Sequence, residues 1–368
     1  MNSFNQPIGL YVHIPFCGRK CPYCDFYSTA ADAAKINEYV AVLCRQITQC
    51  GEHIHRKADT LYFGGGTPSL IGAKRLSEIK AAAENAFILD KAEITAEINP
   101  AKQDFDFSHL YRSGFNRVSI GLQSANDEEL ALLGRLHNSA QADRCIKRAQ
   151  QAGFDNISLD LMIATPQQTK ESLLRSLAFC ASHNVQHISA YLLKIEEGTP
   201  YFQKRSTLAL PDEDAQAEMY LLVCEKLREY GFEQYEISNF AKPGFESRHN
   251  LKYWHDEEYI GFGPSAHSFV KGRRYYYERS FECFYTDQKR DDGIGGNIEE
   301  WIMLGLRLTE GINNKRFREH FGMDIPRKYF DRARKLESYG LVRTDEQSIR
   351  LTIQGFLVSN AVIAEVLR

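Results

Sequence analysis

Cys17-Gly18-Arg19-Lys20-Cys21-Pro22-Tyr23-Cys24 directly follows the β-rich run Leu10–Ile14, so three thiols fall within eight residues at the first strand-to-helix junction. A loop this short can wrap its sulfurs around one inorganic centre. The number three is informative. A structural zinc site takes four protein ligands, and no second cysteine pair lies nearby, although His13 is near enough in sequence to complete one. A four-iron cluster held by three thiolates instead leaves one iron open to bind and activate a small molecule. The chain has nine cysteines, an odd count that argues against a disulfide framework, and the other six are scattered. Cys44 shares a helical face with Ile36, Val40 and Ile47, and Cys145 with Ala142, Ile146 and Ala149, the spacing of core thiols.

Outward from this loop, one unit recurs as far as Leu193: a short β-rich run, a turn, then an amphipathic helical stretch. The predicted strands are Leu10–Ile14, Thr60–Phe63, Glu93–Ile98, Arg117–Gly121, Asn156–Leu161 and His187–Leu192. Ile36, Tyr39, Val40, Leu43 and Ile47 show the helical spacing between them. The pattern predicts an α/β fold of six β/α units, its parallel strands forming a sheet or partial barrel with ligands at their C-terminal ends. A long helix is expected over Asp212–Tyr230 and a linker over Thr286–Asn297, where Gly293, Gly295 and Gly296 cluster. Beyond Ile298, helices over Glu299–Leu308, Lys315–Phe321 and Arg327–Tyr339 precede a hairpin of Leu341–Arg343 and Ile349–Thr352, a winged-helix pattern. Between Ile312 and Arg350 there are ten basic and six acidic residues, too weak a bias to favour nucleic acid as a partner.

Composition narrows the function classes. The 368 residues are 43 % hydrophobic and 25 % charged, ordinary for a globular protein. Their 45 basic and 48 acidic side chains leave a net charge of −3, so an anion site must be local. No apolar run reaches membrane-spanning length, and no transmembrane segment is expected. Met1–Gly9 has neither a basic nor an apolar signal region, so the expected address is cytoplasmic, with reduced cysteines.

Polar residues gather just after the strands. Gly64-Gly65-Gly66-Thr67-Pro68 follows the second, where missing Cβ atoms leave room for a ligand against the backbone. Glu97 closes the third strand, Gln123 follows the fourth and Asp160 ends the fifth, and Arg135 is a cation able to answer a carboxylate. Further on, Glu246-Ser247-Arg248-His249-Asn250-Leu251-Lys252-Tyr253-Trp254 gathers an imidazole, two large aromatics and two cations. Such a set suits heme: imidazole for the iron, rings over the macrocycle, Arg248 or Lys252 for propionates. It equally suits a buried histidine capping a turn with Tyr253 and Trp254 in the core.

Together these segments resemble the radical S-adenosylmethionine (SAM) enzymes, in which the open iron of a [4Fe-4S] cluster is chelated by SAM and reductive cleavage yields a 5′-deoxyadenosyl radical. The lead-in Leu10-Tyr-Val-His-Ile-Pro-Phe-Cys17 and the exit Tyr23-Cys24-Asp25-Phe26 narrow the resemblance to the HemN-like branch, over nearly the whole chain. It implies a radical SAM partial (β/α)6 TIM-like barrel in residues 1–195, a HemN-like extension in 196–297 and a small C-terminal winged-helix-like domain in 298–368. By the same resemblance, Cys17, Cys21 and Cys24 hold the cluster. Tyr11, Tyr23, Gly65, Gly66, Thr67, Glu97, Gln123, Arg135 and Asp160 occupy SAM-contacting positions. The His249-Asn-Leu-Lys-Tyr253-Trp254 motif marks the heme-binding members, carriers that pass heme to an acceptor protein which the sequence leaves unidentified. His267 is the rival iron ligand. The alternative is a radical SAM enzyme, either an oxygen-independent coproporphyrinogen III oxidase or a methyltransferase of the branch. Against the oxidase, Phe26 stands where that enzyme has another cysteine, and 16 residues precede Cys17 where it has a longer leader. One departure is marked: where the family has Gly-Leu-Pro-Gly, this chain reads Ala164-Thr165-Pro166-Gln167, which puts two side chains at the edge of the SAM site.

Overall fold

In the first strand, β1 (Ile8–Ile14), Ile8, Leu10, Val12 and Ile14 are buried on one face, while Gly9, Tyr11 and His13 point to the other. The same alternation runs through β2 (Ala58–Gly65), β3 (Glu93–Ile98), β4 (Arg117–Gln123), β5 (Ile157–Ile163) and β6 (His187–Leu192). All six pair in parallel and in sequence order. Their apolar faces pack on α1 (Ala33–Ile54), α2 (Ala73–Ala86), α3 (Phe107–Arg112), α5 (Ser139–Gln151) and α6 (Lys170–Ser182), and the short α4 (Asp127–Leu132) lies between β4 and α5 in the chain. Ile36, Tyr39, Val40, Leu43 and Ile47 are the buried stripe of α1, and Cys145 lies in that of α5. This is a computed structural model, and it describes residues 6–368, so most of the Met1–Gly9 stretch lies outside it.

The opposite faces of the six strands line a concave, polar lumen. Tyr11, Tyr62, Thr95, Glu97, Arg117, Ser119, Ser158, Asp160, His187 and Ser189 alternate with the buried apolar residues of the same strands. Helices α7 (Pro200–Gln203) and α8 (Glu213–Glu229) follow β6, and α8 occupies the stretch expected to be a long helix. The strands β7 (Glu233–Gln234) and β8 (Asn239–Ala241) then extend the sheet beyond β6 in antiparallel fashion. Next come α9 (Arg248–Trp254) and β9 (Tyr259–Phe262), which pairs in parallel with β1 on its other side. Finally β10 (His267–Val270), β11 (Arg273–Tyr277) and β12 (Lys289–Ile294) complete a twelve-stranded sheet.

The Thr286–Asn297 linker is therefore corrected, because Lys289–Ile294 is an edge strand paired with β11. Its polar residues are those of a strand exposed to solvent, and Lys289 lies 5.7 and 5.6 Å from the ring centres of Tyr275 and Tyr277. After Asn297 come helices Ile298–Gly305, Asn314–Phe321 and Arg327–Glu337 and the hairpin Val342–Thr344 with Ser348–Leu351, the expected winged-helix pattern. A third short strand, Ile312–Asn313, and two closing helices, Ile353–Leu357 and Ser359–Leu367, complete this part. Among the described residues no helix is long and apolar enough to cross a membrane.

Candidate functional site

The cysteine loop leaves the C-terminal end of β1. Its base is closed by the Cys17 N–H donating to Thr29 O at 3.1 Å and the Thr29 N–H to Pro15 O at 2.9 Å. A turn in which Cys24 N–H donates to Cys21 O at 3.2 Å brings the later two thiols round. All three are free and partly exposed. Burial pushes the Cys24 thiol up, and the nearby charges of Cys21 and Cys17 add to that shift. Thiolates crowded in this way repel one another, and a cationic inorganic centre relieves the repulsion. Among the described residues no three His, Cys, Asp or Glu side chains converge as a site for a single metal ion. His13 is not free to be a fourth ligand. Its Nδ1 is bonded to the Tyr11 hydroxyl at 3.1 Å and its Nε2 to Tyr27 O at 2.9 Å, and burial lowers its pKa to about 4. Three loop thiols without a fourth protein ligand fit a four-iron cluster with one open iron.

The glycine segment straps this loop down. Gly66 N–H donates to Ile14 O at 2.9 Å and Thr67 N–H to Phe16 O at 2.8 Å, and Thr67 Oγ1 lies 3.4 Å from Cys17 Sγ. Gly65 has φ +105°, and a Cβ there would sit 2.5 Å from the His13 ring. The physical reason for glycine at this position is thus the packed imidazole, in addition to any room left for a ligand.

The remaining mouth residues form two groups. Inside the lumen, the Tyr62 hydroxyl donates to Glu97 Oε1 at 3.0 Å, the Ser119 hydroxyl donates to Asp160 Oδ1 at 3.0 Å, and Tyr11 stacks on Tyr62. Burial, with Asp160 adding to it, pushes Glu97 up to about 8, and burial also raises Asp160. Beside the cysteine loop, Arg135 donates to Gly121 O at 3.0 Å and reaches Cys21 Sγ at 3.8 Å. Tyr23 shares that electrostatic neighbourhood with Arg135, Cys21 and Cys24. The Arg135 guanidinium thus faces the Cys21 thiol, and its charge also acts on the Asp160 carboxyl, against the burial that raises it. Gln123 ends β4 in the left-handed region, at φ +68°.

The departure at 164–167 is visible in the backbone. Ala164 and Gln167 both keep positive φ, +59° and +61°, a conformation that costs an L-residue roughly 1–2 kcal/mol. Hydrogen bonds hold it in place: Ala164 N–H donates to Gln168 Oε1 at 2.6 Å, Gln167 N–H to Ala209 O at 2.8 Å, and Gln168 Nε2 to Glu129 Oε2 at 3.1 Å.

The His249 motif lies at the opposite end of the lumen. The backbone N–H groups of Arg248 and His249 donate to the Glu93 carboxylate at 3.2 and 3.1 Å, seating α9 on β3. His249 is 1 % exposed. Its Nδ1 is bonded to Thr60 Oγ1 and its Nε2 to the Tyr253 hydroxyl, both at 2.8 Å, and its ring stacks on Tyr62. Lys252 is buried against Asp59 and Glu257, each at 2.9 Å. Trp254 is set apart, 5.6 Å from the Arg307 guanidinium and lining a shallow cleft with Trp301 and His320. His267 stacks on Tyr276, and its side chain is 57 % exposed.

Several residues escaped the sequence reading. Ser158 Oγ, His187 and the Tyr235 hydroxyl form a second hydroxyl–imidazole–tyrosine chain, with contacts of 2.7 and 2.8 Å, like that of Thr60, His249 and Tyr253. Arg117 lies near both histidines and is buried in the lumen. Its signal is faint: a charged residue in phase with Thr95, Ser119 and Ser158 along strands that otherwise read as apolar.

Residues 11–180 match the model of the Radical SAM superfamily, and residues 297–358 that of the HemN C-terminal domain. A Bacillus subtilis protein named Heme chaperone HemW is 34 % identical over 370 residues, 96 % of this chain and 97 % of that one. A Mycobacterium tuberculosis protein of the same name is 37 % identical over 98 % of this chain and 95 % of its own. Among solved structures, coproporphyrinogen III oxidase (HemN) from Escherichia coli superposes with a TM-score of 0.84 at 23 % identity, covering 99 % of this chain and 90 % of that one. That likeness is one of fold.

Proposed function

The chain belongs to the HemW family within the radical SAM superfamily, and from that premise we propose that it is a heme chaperone which binds heme and passes it to an acceptor protein in the cytoplasm. The observation carrying this reading is identity above a third with proteins named for that function over nearly the full chain. A [4Fe-4S] cluster on Cys17, Cys21 and Cys24, with SAM against Tyr11, Tyr23, Gly65, Gly66, Thr67, Glu97, Gln123, Arg135 and Asp160, completes the proposed assembly. When bound, the pair supplies one-electron chemistry. The protein's own part is to hold three thiols at a strapped loop, to keep a mostly protonated Glu97 in the mouth, and to direct Arg135 at the Cys21 sulfur.

Heme is assigned to His249 and Tyr253, whose side chains meet in the lumen; Trp254, expected in the same pocket, instead faces a separate cleft with Trp301 and His320. Burial lowers the His249 pKa to about 3, so the imidazole is neutral at working pH, as iron ligation requires. Both its nitrogens are hydrogen-bonded, so iron would take the place of the Thr60 or the Tyr253 hydroxyl at one of them. The exposure of His267 favours it as a second candidate, since ligation there breaks no buried contact.

Hemin titration of anaerobically reconstituted protein, followed in the Soret band, tests the reading. His249→Ala is expected to abolish or shift the band with the iron–sulfur content intact, and Trp254→Ala, on another face, to leave it nearly unchanged. Loss on His267→Ala with His249→Ala unchanged moves the ligand to His267, and no Soret change in the wild type removes the carrier reading. Coproporphyrinogen III is expected to survive incubation with reductant and SAM, because Phe26, 64 % exposed beside the cysteine loop, supplies no thiol. Steady decarboxylation would restore the enzyme alternative.

A further inference from the structure

Thr95 on β3 and Arg117 on β4 are partners in register, side by side on the lumen face. They are 0 % and 2 % exposed. Neither is satisfied: Thr95 Oγ1 and Arg117 Nε are both buried without a hydrogen-bond partner, and no described carboxylate forms an ion pair with Arg117. Around it the imidazoles of His187 and His249 are discharged by burial and by its own charge, Tyr62 and Tyr235 are phenols, and the Glu97 and Asp160 carboxyls feel its charge but form no ion pair with it. A buried guanidinium with no carboxylate bonded to it is unfavourable, and so is a buried hydroxyl with nothing to bond. The two defects sit at one register position of neighbouring strands, and an anion with two oxygens would answer both.

We propose that the lumen floor is a carboxylate-binding site, in which the Arg117 guanidinium and the Thr95 hydroxyl receive the carboxylate of a small ligand lying in the barrel. Guanidinium and carboxylate match in shape and charge. Glu97 and Asp160, toward the mouth, sense the Arg117 charge without pairing with it. One guanidinium and one hydroxyl offer a single positive charge and few donors, which match a single carboxylate better than a dianion such as phosphate. Access is from the open end, where Glu97 and Asp160 are partly exposed and Tyr191 is 41 % exposed. Two sources offer this chemistry: a propionate arm of heme, or a free small carboxylic acid. The site itself does not depend on the heme reading.

The test uses the full-length, cluster-loaded protein, its Thr95→Val and Arg117→Gln variants, and four probes: hemin, hemin dimethyl ester, propionate and inorganic phosphate. Thr95→Val keeps the side-chain shape and deletes an unbonded hydroxyl, so ligand-free Tm is expected to hold or rise; a fall would show that the hydroxyl is structural and overturn the site. If the carboxylate belongs to heme, hemin affinity falls roughly tenfold in Thr95→Val and roughly a hundredfold in Arg117→Gln, while the dimethyl ester binds all three proteins alike. If the ligand is a free acid, hemin binds all three alike and propionate raises the Tm of the wild type only. Equal responses of wild type and Thr95→Val to both hemin and propionate overturn the proposal even where Arg117→Gln does not fold. Phosphate stabilising the wild type as much as propionate overturns the carboxylate class.

Discussion

Gly65 concentrates the constraints of the cysteine loop in one residue. It combines a backbone angle that other residues rarely adopt with an imidazole where a Cβ would stand. Gly65→Ala is expected to destabilise the protein by about 2–4 kcal/mol, from overpacking together with the left-handed backbone. Bound iron should fall with it, since Gly66 and Thr67 next door hold Ile14 and Phe16; the urea midpoint and the iron-to-protein ratio check both. At this scale the three cysteines, the glycines and the strand-end carboxylates were legible, because close spacing and position after a strand are properties of sequence. The sites of His249 and Trp254 were not. They are five residues apart on one short helix yet serve different faces of the molecule, and only the packing of α9 against β2 and β3 decides which side chain goes where.

Among the elements, the turn after β5 keeps a glycine-shaped backbone without glycine. Ala164→Gly and Gln167→Gly should each raise stability by up to about 1 kcal/mol, the relief of left-handed strain being partly offset by the added freedom of the unfolded chain. Thermal unfolding of the two single variants and the double variant reads this directly; a lowered Tm in both singles would mean that the Gln168 hydrogen bonds remove the strain. The strands themselves were readable from period-two alternation, and β3 and β6 have the bounds that the sequence suggested. β12 was misread because glycines and paired aspartates look like a linker when the partner strand lies elsewhere in the chain. Its partner is the tyrosine-rich β11.

The whole molecule carries two opposing sets of buried titratable groups. Glu97 at about 8 and Glu236 and Asp256 at about 7 bind protons in the fold that the unfolded chain releases above its ordinary carboxylate pKa, so their contribution is lost as pH rises through 7 to 8. His13 and His137 at about 4 and His249 at about 3 stay neutral in the fold while the unfolded chain protonates near 6.5, so their contribution is lost as pH falls from there. Each group contributes a slope of at most about 1.4 kcal/mol per pH unit. Stability of the cluster-free protein is therefore expected to peak near pH 6 and decline by pH 8.5, and Glu97→Gln should flatten the alkaline side in urea titrations at several pH values. A fragment ending at residue 195 should aggregate, as light scattering would show, because it strips β9 from β1 and leaves an apolar strand as an open edge. The same pairing has a consequence during synthesis. Leu10 is partnered by Ile260, 250 residues later, so at ordinary ribosomal speed the first strand waits roughly 10 to 50 s for its second neighbour. Throughout that interval the cysteine-bearing segment has left the ribosome with one flank unpaired, which makes translation speed and chaperone supply part of what determines the yield of the native protein.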